Sequence, residues 1–150
     1  MTEMVAISTI VRTAKVNRNR SPQKAIEATH RAQYMDRQVV DMMPTGEGDE
    51  VEVVFFKPDL SQCNGFISDD ELEKEFELRG LKPADPFSVA AVNEADPAFA
   101  DQTPHGTHWK DDKGNWCFAA FHRRLDLREV VVRRDDSGWL DRRWFAGVRK

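Results

Sequence analysis

Residues 107–150 read THWKDDKGNWCFAAFHRRLDLREVVVRRDDSGWLDRRWFAGVRK, and this stretch decides the fold class. Asp111-Asp112-Lys113-Gly114 separates residues 107–110 from 115–122. Asp135-Asp136-Ser137-Gly138 separates residues 128–134 from 139–148. Acid-rich segments ending in Gly, set between β-branched and aromatic runs, are hairpin signals. The tail therefore predicts a four-stranded antiparallel β-meander.

Working back from this tail, the chain alternates. Residues 4–16 are rich in β-branched side chains, with Val5, Ile7, Thr9 and Val11 on one face, and predict a first strand. Ser21-Pro22 marks a helix start, and the helix is expected to run to about Tyr34, with a further turn capped by Asp36 and stopped by Pro44 and Gly46. Residues 50–57 carry Val51, Val53 and Phe55 on one face and Val54 and Phe56 on the other, as an internal strand would. Ser68-Asp69-Asp70-Glu71 is a capping box opening a helix that Gly80 ends. Asp85-Pro86 starts another helix, and Asp96-Pro97 one more turn. The resulting order is β-α-β-α-α-β-β-β-β. It predicts a single α+β domain over residues 1–150, with its helices on one face of a mainly antiparallel sheet.

The chain has 40% hydrophobic residues with nine Phe and four Trp, enough for a core. No apolar run reaches the roughly 20 residues of a membrane span, and Met1-Thr2-Glu3-Met4-Val5 lacks the layout of a secretion signal. The two cysteines, Cys63 and Cys117, fit neither a disulfide scaffold nor a CxxC motif. These features together predict a cytoplasmic protein without a membrane partner.

Charge is sorted into three blocks. Residues 1–40 hold seven Lys/Arg against three acids, residues 41–104 four against sixteen, and residues 105–150 eleven against seven, giving +4, −12 and +4. Such asymmetry bears on partners rather than on fold.

Four kinds of chemistry compete for these residues. His105, His108, Cys117 and His122 are zinc-ligand types within eighteen residues. Their spacing matches no zinc motif, and Cys117 and His122 fall on opposite faces of a strand, so no metal or other cofactor is expected. Cys117 between Trp116 and Phe118 reads as core, and Cys63, in a polar loop, as the more reactive thiol, with no cysteine-protease signature around either. The acids of residues 69–77 read as a solvated helix face rather than a general acid–base pair. P-loop, GxGxxG and GxSxG motifs are absent.

What remains is surface. Glu73, Glu75 and Glu77 form an acidic face, while Arg133, Arg134, Trp139, Arg142, Arg143 and Trp144 form a basic, Trp-rich sheet edge. The expectation is a small non-catalytic interaction or regulatory protein that binds a protein partner through these surfaces. An inhibitor of a nucleic-acid-handling machine, whose basic groove the acidic centre would occupy, fits that pattern. Homo-oligomerisation is a further use of two surfaces of opposite sign. The alternative is direct binding of single-stranded nucleic acid by the basic tail and the segment from Arg12 to Arg20, with cations on the backbone and rings on the bases. A metal-dependent enzyme built on the His105/His108/Cys117/His122 cluster is the third alternative.

Overall fold

A computed structural model describes residues 9–61, 64–135, 138–140 and 142–150. Among the described residues the fold is mixed α+β: five helices and a mainly antiparallel sheet of eight strands that does not close on itself. In chain order the elements are β1 (Thr9–Lys15), α1 (Pro22–Glu27), β2 (Ala32–Met35), α2 (Arg37–Asp41), β3 (Glu50–Phe56), β4 (Phe66–Ile67), α3 (Asp69–Leu78), β5 (Leu81–Pro83), α4 (Pro86–Ala95), α5 (Phe99–Gln102), β6 (His105–Lys110), β7 (Trp116–Arg124), β8 (Leu127–Arg134), β9 (Trp139–Leu140) and β10 (Trp144–Arg149).

The main sheet runs β1-β3-β10-β6-β7-β8-β2, with β5 also paired to β10. Two pairings are parallel, β10 with β6 and β2 with β8. The expected meander holds for β6, β7 and β8 only. The second hairpin does not form: β9 leaves the sheet to pair with β4, and β10 crosses back to lie between β3 and β6. Phe145 and Ala146 are fully buried on opposite faces of β10, so this strand gains apolar cover on both faces at the sheet centre, which an edge position beside β8 would not provide.

The helix expected to reach Tyr34 stops at Glu27. His30 takes a left-handed backbone conformation (φ 56°), which ends a right-handed helix, and Ala32–Met35 then pairs with β8 as an edge strand. In β1 the inward residues are Ile10 and Ala14, while Val11 is 42% exposed, so the buried face is the even-numbered one. Val5 and Ile7 lie outside the described residues. The caps expected at Ser21, Asp36, Ser68 and Asp85 are observed, with Ser68 and Glu71 forming the reciprocal capping box of α3, whereas α5 starts at Phe99 behind Ala98 rather than at Asp96-Pro97.

The helices do not share one face. Ile26 of α1, Val40 of α2, Val89 of α4 and Phe99 of α5 join a core with Val53, Phe55, Ala119, Phe121 and Val130. Helix α3 covers the opposite face, where Leu72 and Phe76 meet Val54, Phe56, Ala120, Trp139 and Phe145. Alternation along β3 and β7 sends neighbouring residues into different cores.

Candidate functional site: an arginine-lined cleft

The four side chains of zinc-ligand type do not converge. His105 and His108 leave β6 on opposite faces, as do Cys117 and His122 on β7, and no group of three metal-ligating side chains occurs among the described residues. His105 is fully buried among Phe55, Phe99 and Phe121, with ring centroids 4.8, 5.4 and 5.6 Å away. Burial pushes its imidazole down to about 3, so it stays neutral between the Thr103 carbonyl and the Asn93 amide. His108 is equally buried, but Asp69 Oδ1 lies 2.7 Å from its Nδ1 and Glu73 Oε2 3.0 Å from its Nε2. Burial opposes its charge, yet these two carboxylates outweigh burial and raise the imidazole above its ordinary value. Cys117 is a buried free thiol pushed up by burial, which argues against a nucleophile. Cys63 lies outside the described residues.

The acidic face is partly consumed inside the fold. Glu73 binds His108, Glu75 pairs with Arg79 at 3.1 Å, and Glu71 caps its own helix, leaving Glu77 exposed. The basic N-terminal segment is consumed too. Arg18 donates to the carbonyls of Thr45, Glu47 and Gly48 and to Asp85, Arg20 pairs with Glu94, and Arg12 lies over the Phe99 ring.

The arginines of the tail behave differently. Three doublets, Arg123-Arg124, Arg133-Arg134 and Arg142-Arg143, line one open cleft of about 1090 Å³. Phe66, Phe118, Trp139 and Leu140 supply its apolar walls, and His122 shares the lining. The doublets sit where β7 ends, where β8 ends and where the chain enters β10. Within a strand, adjacent side chains point to opposite faces. Arg142 lies in the turn before β10, outside the strands, with a left-handed backbone (φ 78°) that costs about 1–2 kcal/mol for a residue with a Cβ.

Charge compensation across the cleft is uneven. Arg124 makes a two-pronged pair with Glu129 at 3.2 and 2.8 Å, Arg123 reaches Asp101 at 3.4 Å, and Arg134 reaches Asp111 at 3.5 Å. Arg133 lies over the Phe118 ring, 5.7 Å from its centroid. Among the described residues, Arg133, Arg142 and Arg143 form no ion pair. Burial lowers the Arg143 guanidinium, whose Nη1 donates to His122 Nδ1 at 3.2 Å.

Five of the residues singled out from sequence therefore meet here: Arg133, Arg134, Trp139, Arg142 and Arg143. Trp139 is a buried wall, 5% exposed, and its indole donates to Asp69 Oδ1 at 2.8 Å. Its ring packs so closely over Gly106 that a Cβ there would meet it at 2.8 Å. Trp144 is half-buried against the core and does not line the cleft. Glu73, Glu75 and Glu77 stand apart from it on α3. From sequence, Arg123 and Arg124 belong to the basic tail and His122 to the histidine–cysteine cluster, whereas nothing in the sequence pointed to Phe66 or Phe118. Comparison with protein-family models, curated proteins and solved structures finds no match.

Proposed function

We propose that this protein binds a short single-stranded nucleic acid in the arginine cleft. The observation that carries the reading is the set Arg133, Arg142 and Arg143, three guanidiniums without a carboxylate partner among the described residues, in one concave cleft with Phe66 and Phe118. Guanidiniums match phosphate oxygens in a fork geometry, and exposed ring faces accept bases of any sequence. Phe66 is 39% exposed, whereas the cleft tryptophan is buried, so stacking falls to phenylalanine. The chain's net charge of −4 repels a polyanion elsewhere on the surface and confines it to the cleft. No helix among the described residues is long and apolar enough to cross a membrane, and the proposed setting is the cytoplasm.

The test is fluorescence anisotropy with labelled RNA and DNA strands of about 12 nucleotides, within the usual site size of such proteins. Affinity should drop steeply between about 50 and 200 mM salt, and Arg133→Ala with Arg142→Ala should weaken it. Absence of binding at low salt removes the reading.

A second reading, a regulatory module that binds a protein, is favoured by Leu78 and Leu140, exposed at 78% and 73% beside the acidic helix and the cleft. Co-purification of a protein partner, lost on reversing Glu73, Glu75 and Glu77 to Lys, would support it over the first.

A further inference from the structure

We propose that His122 and Glu129 make the cleft a ribonuclease site, with His122 Nδ1 as the general base on a ribose 2′-hydroxyl. The inference rests on the nucleic-acid reading above and adds a reaction to it.

The argument starts from strand register. His122 on β7 and Glu129 on β8 are direct cross-strand partners. His122 Nε2 lies 3.0 Å from Glu129 Oε1, and the other oxygen, Oε2, is held by Arg124. Glu129 is 3% exposed, so its carboxylate is fixed in place. A guanidinium donates only, so the 3.2 Å contact with Arg143 requires a lone pair on His122 Nδ1. That assigns the ring proton to Nε2, which donates it to Glu129. The result is a base whose tautomer and orientation are set by a buried carboxylate, the arrangement of an activated imidazole. Burial, then the Arg143 charge, lower the His122 imidazole, so it is unprotonated at neutral pH and able to take a proton.

A phosphodiester in the cleft gives Arg143 a stronger acceptor than an imidazole nitrogen. Arg143 turning to the phosphate uncovers His122 Nδ1. The 2′-hydroxyl proton then passes to Nδ1, the 2′-oxygen forms a bond to phosphorus, and the bond from phosphorus to the 5′-oxygen breaks. The leaving 5′-oxygen takes a proton from water, and the imidazolium returns its proton to the hydroxide left behind. Products are a 2′,3′-cyclic phosphate and a 5′-hydroxyl. Glu129 stabilises the imidazolium, and Arg133, Arg142 and Arg143 face the charge that develops on the phosphoryl oxygens. Four charged groups surround His122: Arg143 from the segment before β10, Glu129 from β8, Arg124 acting through Glu129, and Arg31 from the segment before β2.

The test incubates purified protein with a labelled RNA strand and its all-2′-deoxy counterpart, in the presence of EDTA, and reads cleavage and anisotropy side by side. The expected result is that both strands bind and only RNA is cut, to cyclic-phosphate ends. His122→Gln should slow cleavage by about 100-fold or more, far beyond its effect on binding. The rate should rise with pH to a plateau. Glu129→Gln, which keeps an acceptor for Nε2–H without the charge, should move that midpoint down. RNA bound but left intact overturns the ribonuclease proposal and leaves the binding reading standing. Cleavage by His122→Gln at the wild-type rate, in protein whose circular dichroism matches wild type, overturns it as well. Absence of binding removes both.

Discussion

His105 and His108 stand three residues apart on β6, and both are essentially buried, yet they carry opposite states. His105 sits in a phenylalanine cage with one carbonyl and one amide for partners, and is neutral. His108 sits between Asp69 and Glu73, stacked on Trp116 at 4.2 Å, and its charged form is favoured. Equal burial with unequal partners shows that depth alone does not set protonation; the carboxylates brought by α3 do. The two sides also differ in task. The His105 side is an apolar core under four helices. The His108 side ties α3 and β9 to the sheet through Asp69, which accepts from both His108 and Trp139.

The comparison breaks most severely at Asp69. Burial opposes its ionisation, but hydrogen bonds led by that from His108 hold its carboxyl below the ordinary value. Asp69→Ala leaves a buried imidazolium short of a partner and an indole N–H without one, and should cost about 3–5 kcal/mol in denaturant unfolding. Asp69→Asn should cost less, because its side-chain oxygen still accepts from Trp139. The cleft wall formed by Trp139 should loosen in the first variant, visible as a red shift of tryptophan emission.

Acid probes the other histidine. His105 is fully buried with a value of about 3, against an ordinary value of 6.5. The unfolded chain binds a proton there before the folded chain does. His105 should therefore remove stability as pH falls from about 6.5 toward 3, by about 1.4 kcal/mol per unit. Urea titrations at several pH values should show this slope, flattened in a folded His105→Gln variant.

Rising pH should act on His108 with the opposite sign. Its value is raised in the folded state, so its contribution is complete below the ordinary histidine value and is lost as pH rises through the folded one. A thermal midpoint that falls as pH rises above the ordinary histidine value in the wild type, but not in His108→Gln, sharpens the contrast. A flat profile contradicts it.

The smallest effects belong to the cleft itself. Arg142→Ala and Arg133→Ala remove no ion pair among the described residues and should change stability by about 0.5 kcal/mol or less. Each should still lower the salt slope of nucleic-acid binding by about 0.7, as loss of one single-strand phosphate contact does. Stability and binding should thus separate, with Asp69 governing the frame and the arginines the proposed ligand.

Local rules made much of this chain legible. The capping box at Ser68, the Asp85-Pro86 helix start, the two-sided burial of β3 and the first hairpin all depend on residues a few positions apart, where hydrogen bonding and side-chain alternation operate. The arginine doublets were visible in the same way. The helix expected to Tyr34 was not so governed, because pairing with β8 overrode its periodicity.

The sequence by itself determined the element types at these positions, the absence of a plausible zinc spacing and the segregation of charge. Tertiary structure alone decided where β10 goes, which acids are already spent on His108 and Arg79, and that three arginine doublets converge on one cleft. The physical reason is distance along the chain. Asp69 and Trp139 lie 70 residues apart, and their contact depends on sheet order, which no local periodicity encodes.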